Sequence, residues 1–118
     1  MNFFKKKQNK NFAHETKADQ TASLIKHGTL IRYQLFFSGR VQHVGFRFEA
    51  EQAASQLMLT GWVKNLDNGQ VAMELQGSDS KITQFLTYMQ SLEWVKITQI
   101  DKKILPVDSQ ETSFSVRG

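Results

Sequence analysis

From Thr29 onward, apolar and polar positions recur with regular periods. Ile31, Tyr33, Leu35 and Phe37 alternate with Arg32, Gln34 and Phe36, a period of two that predicts a strand. A loop is expected over Ser38 to Gly45. Phe46, Ala50, Ala53, Ala54 and Leu57 then recur at helical spacing, with Glu49, Glu51 and Gln52 between them. Thr60-Gly61 is read as the close of that helix, because glycine suits the left-handed position after a helix end.

The pattern then returns to strands. Trp62 to Leu66 predicts a second one. Asp67-Asn68-Gly69 is a turn signal, since Asn and Gly tolerate positive φ. Gln70 to Gln76 predicts a third strand, with Val71, Met73 and Leu75 on one face. Ser78, Asp79 and Ser80 offer N-cap oxygens to a second helix. Its apolar stripe is Ile82, Phe85, Leu86 and Met89. Val95 to Leu105 is β-rich and predicts a fourth strand. Pro106 and Asp108 to Thr112 form a connection, and Phe114 to Arg117 a short closing strand.

The order is β-α-β-β-α-β with a short final strand. Each helix has a single apolar stripe, so each covers a sheet on one side only. The expected class is α+β: a two-layer, ferredoxin-like split βαβ plan, with a mainly antiparallel four- or five-stranded sheet and both helices on one face.

Composition changes this picture at the N-terminus. Residues 1–28 are rich in Lys, Asn, Gln and Thr, with no sustained period, and are read as a basic, disordered tail. A short helix over Ala13 to Ile25 is the weaker expectation there. The 118-residue length suits one domain, residues 29–118, preceded by that tail.

The formal net charge of +4 suggests nucleic-acid binding until its distribution is examined. The tail holds six lysines (Lys5, Lys6, Lys7, Lys10, Lys17, Lys26) against Glu15 and Asp19. Residues 29–118 hold nine basic and nine acidic residues, so the domain is neutral. The basic character belongs to the tail, and no nucleic-acid partner is expected for the domain. No apolar run approaches the roughly 20 residues of a membrane-spanning helix. No apolar segment of a secretory signal follows the lysines. A cytoplasmic monomer is therefore the default expectation. With no cysteine, thiol nucleophiles, disulfides and thiolate metal sites are excluded.

One loop carries candidate chemistry. Ser38-Gly39-Arg40-Val41-Gln42-His43-Val44-Gly45-Phe46-Arg47 joins a strand to a helix N-terminus. The first amides of a helix lack intrahelical partners and carry positive dipole, so they favour anions. Glycines near both ends let the backbone curl its N–H groups inward. Arg47 adds a fixed charge with a planar donor fork. These residues define an oxyanion-site candidate; the alternative is an ordinary loop with an arginine in solvent.

The segment Gly39-x-Val41-Gln42-His43-Val44-x-Phe46-Arg47 resembles the first signature of the acylphosphatase family. Gly61-Trp62-Val63-Lys64-Asn65, with Gly69-x-Val71 and Gly77, resembles the second. The similarity covers about residues 30–118, including Phe114-Ser115-Val116-Arg117. His43 stands where glycine is the commoner family residue. The resemblance implies hydrolysis of a small-molecule acyl phosphate to carboxylate and inorganic phosphate, without metal or other cofactor. It also implies roles. Arg47 would bind the phosphoryl group, and the amides of Gln42, His43, Val44, Gly45, Phe46 and Arg47 would cradle it. Asn65 would orient the attacking water.

Bland readings stand beside these. His43 is expected as an exposed loop histidine, Trp62 as packing and Glu49 and Glu51 as helix-start charges. Arg40 is either a secondary anion contact or a surface residue, and Arg117 a pairing at the sheet edge. A second class of function, a non-catalytic anion- or RNA-binding module, shares the same fold plan. It would use Phe36 and Trp62 as sheet-face aromatics. A third reading is an accessory domain of a carbamoyl-transfer enzyme.

Overall fold

The computed structural model describes residues 29–118, so the expected tail and its short helix lie outside the described residues. Seven elements follow in order: β1 (Ile31–Arg40), α1 (Phe46–Gln56), β2 (Thr60–Asn65), β3 (Val71–Gly77), α2 (Asp79–Ser91), β4 (Lys96–Leu105) and β5 (Phe114–Val116). They form one five-stranded sheet in the order β4-β1-β3-β2-β5. β3 pairs antiparallel with both β1 and β2, and β1 pairs antiparallel with β4. Only β5 runs parallel to its neighbour, β2. This is the α+β split βαβ plan: β1 and β2 point the same way, with β3 inserted between them.

The period-two pattern fills one face. Leu35, Phe37, Val63, Val71, Met73 and Leu75 are all fully buried. They meet Phe46, Ala50 and Ala54 of α1 and Ile82, Phe85 and Met89 of α2 in a single core. Tyr88 donates to Glu49 Oε1 at 2.7 Å and so joins the two helices. That bond pushes the Tyr88 hydroxyl pKa above its ordinary value, with desolvation adding to it. α2 is capped by Ser78, whose Oγ accepts from the Lys81 amide at 3.3 Å.

Two expectations need correction. The first concerns how α1 ends. The left-handed position after the helix belongs to Met58, with φ of 58°, and not to a glycine. Gly61 lies inside β2, opposite Leu75 of β3. Its φ is 137°, and a Cβ there would sit 1.9 Å from the Glu74 carbonyl oxygen. Glycine is therefore required at 61 by close strand approach. The helix stop is borne by a residue that pays roughly 1–2 kcal/mol for the conformation. Met58 is 75% exposed, so its side chain returns little of that through packing. Met58→Gly is expected to stabilise the fold by about 1 kcal/mol, read as a higher chemical-denaturation midpoint at unchanged slope.

The second concerns the end of β1, which runs on to Arg40 although the pattern predicts a loop from Ser38. Arg32, earlier on the same strand, shows a burial that no local pattern announces. Alternation along β1 sets it opposite the core-facing residues, yet it is only 5% exposed. The segment 106–113 folds over it. Arg32 grips Glu111 with two bonds, at 2.7 and 3.1 Å, and Glu74 Oε1 with two more, at 3.0 and 2.9 Å. Its pKa is raised, chiefly by hydrogen bonding to Glu111, against the opposing effect of burial. Gln76 extends the network, accepting from Arg32 and from the Asp108 amide and donating to the Asp108 carbonyl. The alternation pattern could not show this, because the covering segment is distant in sequence. Its consequence is positional: the anchored segment delivers β5 to the edge of β2.

Candidate functional site

The sheet order sets the site. Phe37, Val71 and Asn65 occupy one rung across β1, β3 and β2. β1 and β2 therefore end at the same edge of the sheet, about 9.5 Å apart at two strand spacings. Residues 41–45 leave β1 at that edge and lead into α1, placing the helix N-terminus beside the end of β2. Phe46 anchors the turn, buried against Phe37 with ring centroids 5.0 Å apart. Val41 is buried on the same core.

The loop backbone bends twice into the left-handed region, at His43 (φ 62°) and Gly45 (φ 81°). Glycine would take the bend at position 43 without strain. Histidine is among the few side chains that tolerate that region. Its ring is exposed, as the sequence suggests. Gly45 is the N-cap of α1 and supplies no side-chain cap. The backbone amides of Gln42 to Phe48 have no hydrogen-bond acceptor among the described residues. α2 satisfies its N-terminus with Ser78; α1 leaves its own open to a ligand.

A cavity of about 360 Å³ opens at this point. His43, Gly45, Phe46, Arg47 and Asn65 all line it. The structure thus brings together the two side chains singled out in sequence, 18 positions apart. Arg47 donates to the carbonyl oxygen of Gly118. It forms no ion pair with an acidic side chain among the described residues. The Gly118 carbonyl also accepts from the Asn65 amide at 3.4 Å, so the segment after β5 closes one side of the site. Asn65 Oδ1 is buried and has no hydrogen-bond partner. A buried amide oxygen left unpaired is costly, so it marks a place for a ligand or an ordered water.

The side chains of two expected loop residues are engaged elsewhere, and neither Gln42 nor Val44 lines the cavity. Val44 packs against the core. The Gln42 side chain donates to the carbonyl oxygens of Leu66 and Gln70, at 2.7 and 2.8 Å. It fastens the loop to the turn after β2, a role the sequence reading missed. Arg40 is exposed at the strand end. The cavity wall also includes Phe48, Glu51 and Val116. Among the described residues no group of three or more His, Asp or Glu is placed to hold a metal ion. No helix there is long and apolar enough to cross a membrane.

Together these features define a small two-layer α+β domain with an uncapped helix N-terminus, an arginine and an asparagine converging on one cavity. The acylphosphatase family profile matches residues 33–116. The acylphosphatase of Clostridium perfringens (strain SM101 / Type A) is 46% identical over 87 residues, spanning 73% of this chain and 98% of that protein. The crystal structure of the Bacillus subtilis acylphosphatase superposes with a TM-score of 0.69 at 29% identity, covering 75% of this chain and 99% of that one. The crystal structure of T.kodakarensis HypF aligns with a TM-score of 0.66 at 27% identity, covering 75% of this chain but only 12% of that one. The chain belongs to the acylphosphatase family, and its enzyme class is that of a hydrolase of acyl phosphates.

Proposed function

We propose that this domain hydrolyses small-molecule acyl phosphates through Arg47, the 42–47 loop amides and Asn65, without a metal. The observation that carries this reading is the unpartnered Oδ1 of Asn65, buried in the wall of the cavity that Arg47 also lines. The phosphoryl oxygens sit against the open amides of the loop and helix start, with the Arg47 guanidinium beside them. Phosphoryl transfer proceeds through a loose transition state with charge spread over the equatorial oxygens, so positioned charge carries most of the catalysis. The two left-handed bends hold the amides before substrate arrives, which limits reorganisation.

Asn65 accepts a hydrogen bond from a water and aims its oxygen at phosphorus. An amide is no general base near neutral pH, and the carboxylate is a good leaving group. As the new O–P bond forms, the bridging O–P bond breaks and its electron pair leaves with the carboxylate. Both protons of the water finish on the phosphate. Benzoyl phosphate in excess chelator is the direct assay, and turnover no faster than spontaneous hydrolysis would defeat the proposal. Asn65→Ala is expected to lower kcat by about 10²–10³, the usual loss for a positioned polar group. A pH–rate profile with a steep limb near pH 6–7 would instead point to His43 as a base.

The open sheet face offers little to the alternative RNA reading. Trp62 is already covered by the Arg117 guanidinium, 5.0 Å from its ring centroid. Arg32 is neutralised by two carboxylates.

A further inference from the structure

The phosphoryl group explains only part of the cavity. The loop, Arg47 and Asn65 supply its polar groups, while Phe48, Val116 and Glu51 also line the wall. Phe48 is 62% exposed and Val116 40%, although both are large apolar residues. Neither exposure is explained by packing within the domain. A single exposed apolar residue needs no account, but these two come from different elements and converge on one concave site. An apolar wall facing a few fixed polar groups is the ordinary make-up of a small-ligand pocket, and about 360 Å³ lies at the small end of that range.

The helix geometry adds direction. Arg47 and Glu51 are four residues apart on α1, and Phe48 and Glu51 three apart, so all three share one side of the helix. Arg47 nevertheless makes its bond to Gly118 and none to Glu51. Glu51 therefore presents an uncompensated carboxylate to the cavity next to the phenyl ring.

We propose that Phe48 and Val116 form the acyl-group subsite of this cavity, that it favours uncharged apolar acyl groups of aromatic size, and that Glu51 turns away acyl groups bearing a second carboxylate. The inference rests on the acyl phosphate reading above and names the part of the substrate on which that reading is silent. The Phe48 ring packs on the acyl moiety, while a methyl group is too short to use that surface. Glu51 acts by like-charge repulsion, which is modest at a partly solvated site.

The test compares kcat/KM for acetyl, benzoyl and para-carboxybenzoyl phosphates in the wild type, Phe48→Ala and Glu51→Gln. The benzoyl-to-acetyl ratio is expected to fall about tenfold in Phe48→Ala, as part of an aromatic burial is lost. The ratio of para-carboxybenzoyl to benzoyl phosphate is expected to rise about threefold in Glu51→Gln. Ratios between substrates are untouched by any loss of folded enzyme, so a purely structural role for either residue would leave them flat. A benzoyl-to-acetyl ratio unchanged within twofold in Phe48→Ala overturns the apolar subsite. An unchanged second ratio in Glu51→Gln overturns the charge filter. Wild-type failure on all three substrates would fall on the underlying hydrolase reading, whereas turnover with flat ratios would remove this inference alone.

Discussion

Arg47→Ala is expected to lower kcat/KM for benzoyl phosphate by about 10³ or more, the scale seen when an arginine that meets transferring phosphoryl charge is removed. Arg47 lines the cavity from the first turn of α1 and pairs with no Asp or Glu side chain among the described residues. Its hydrogen bond to the Gly118 main-chain oxygen holds the guanidinium at the cavity. Lysine at 47 would keep the charge but lose the planar fork, so Arg47→Lys should restore only a small part of the activity. Inorganic phosphate should also cease to compete in the alanine variant. A loss of less than tenfold, with the fold intact by circular dichroism, would remove Arg47 from the chemistry.

Gly61→Ala is expected to have the largest effect on stability, a loss of about 3 kcal/mol or more, in the class of backbone strain and overpacking. The added Cβ would meet the Glu74 carbonyl oxygen at 1.9 Å; Cβ is fixed by its own backbone and the oxygen belongs to the neighbouring strand, so neither can swing away. The φ of 137° adds strain whatever the space. Relief would require β2 to move from β3, and with it Asn65, four residues on along the same strand. Denaturant titration would show the loss, and activity should fall with it. A midpoint close to that of the wild type would show that the strands give way easily.

Gly61 also shows what sequence can and cannot convey. Periodicity placed every strand and helix in order, because burial on one face imposes it locally, but it ended β1 three residues early and α1 several residues late. It misassigned Gly61, because a glycine after a helix and a glycine under a neighbouring carbonyl look the same along the chain. Only the pairing with Leu75 separates them. The burial of Arg32 was illegible for a related reason, since its cover, Glu111, lies 79 residues away. Within the site, Arg47 and Asn65 were legible through motif resemblance, and the sheet order explains their meeting. The Gln42 clamp, the Gly118 contact and the apolar wall at Phe48 and Val116 depend on long-range placement that no local pattern encodes. His43 was visible as a departure; its left-handed φ supplies the physical meaning.

The strand order has a temporal consequence. β1 is first along the domain, yet both its partners come later: β3 ends at Gly77 and β4 at Leu105. β5, on the far edge, pairs with β2 only after residue 114. Such non-local pairing slows folding, because loops must close before the contacts that reward closure can form. During synthesis the apolar face of β1 must therefore wait for nearly the whole domain, exposed to misassembly in the interval. The loop leading into α1 follows β1 immediately in sequence, but its cavity needs Val116, which is among the last residues synthesised.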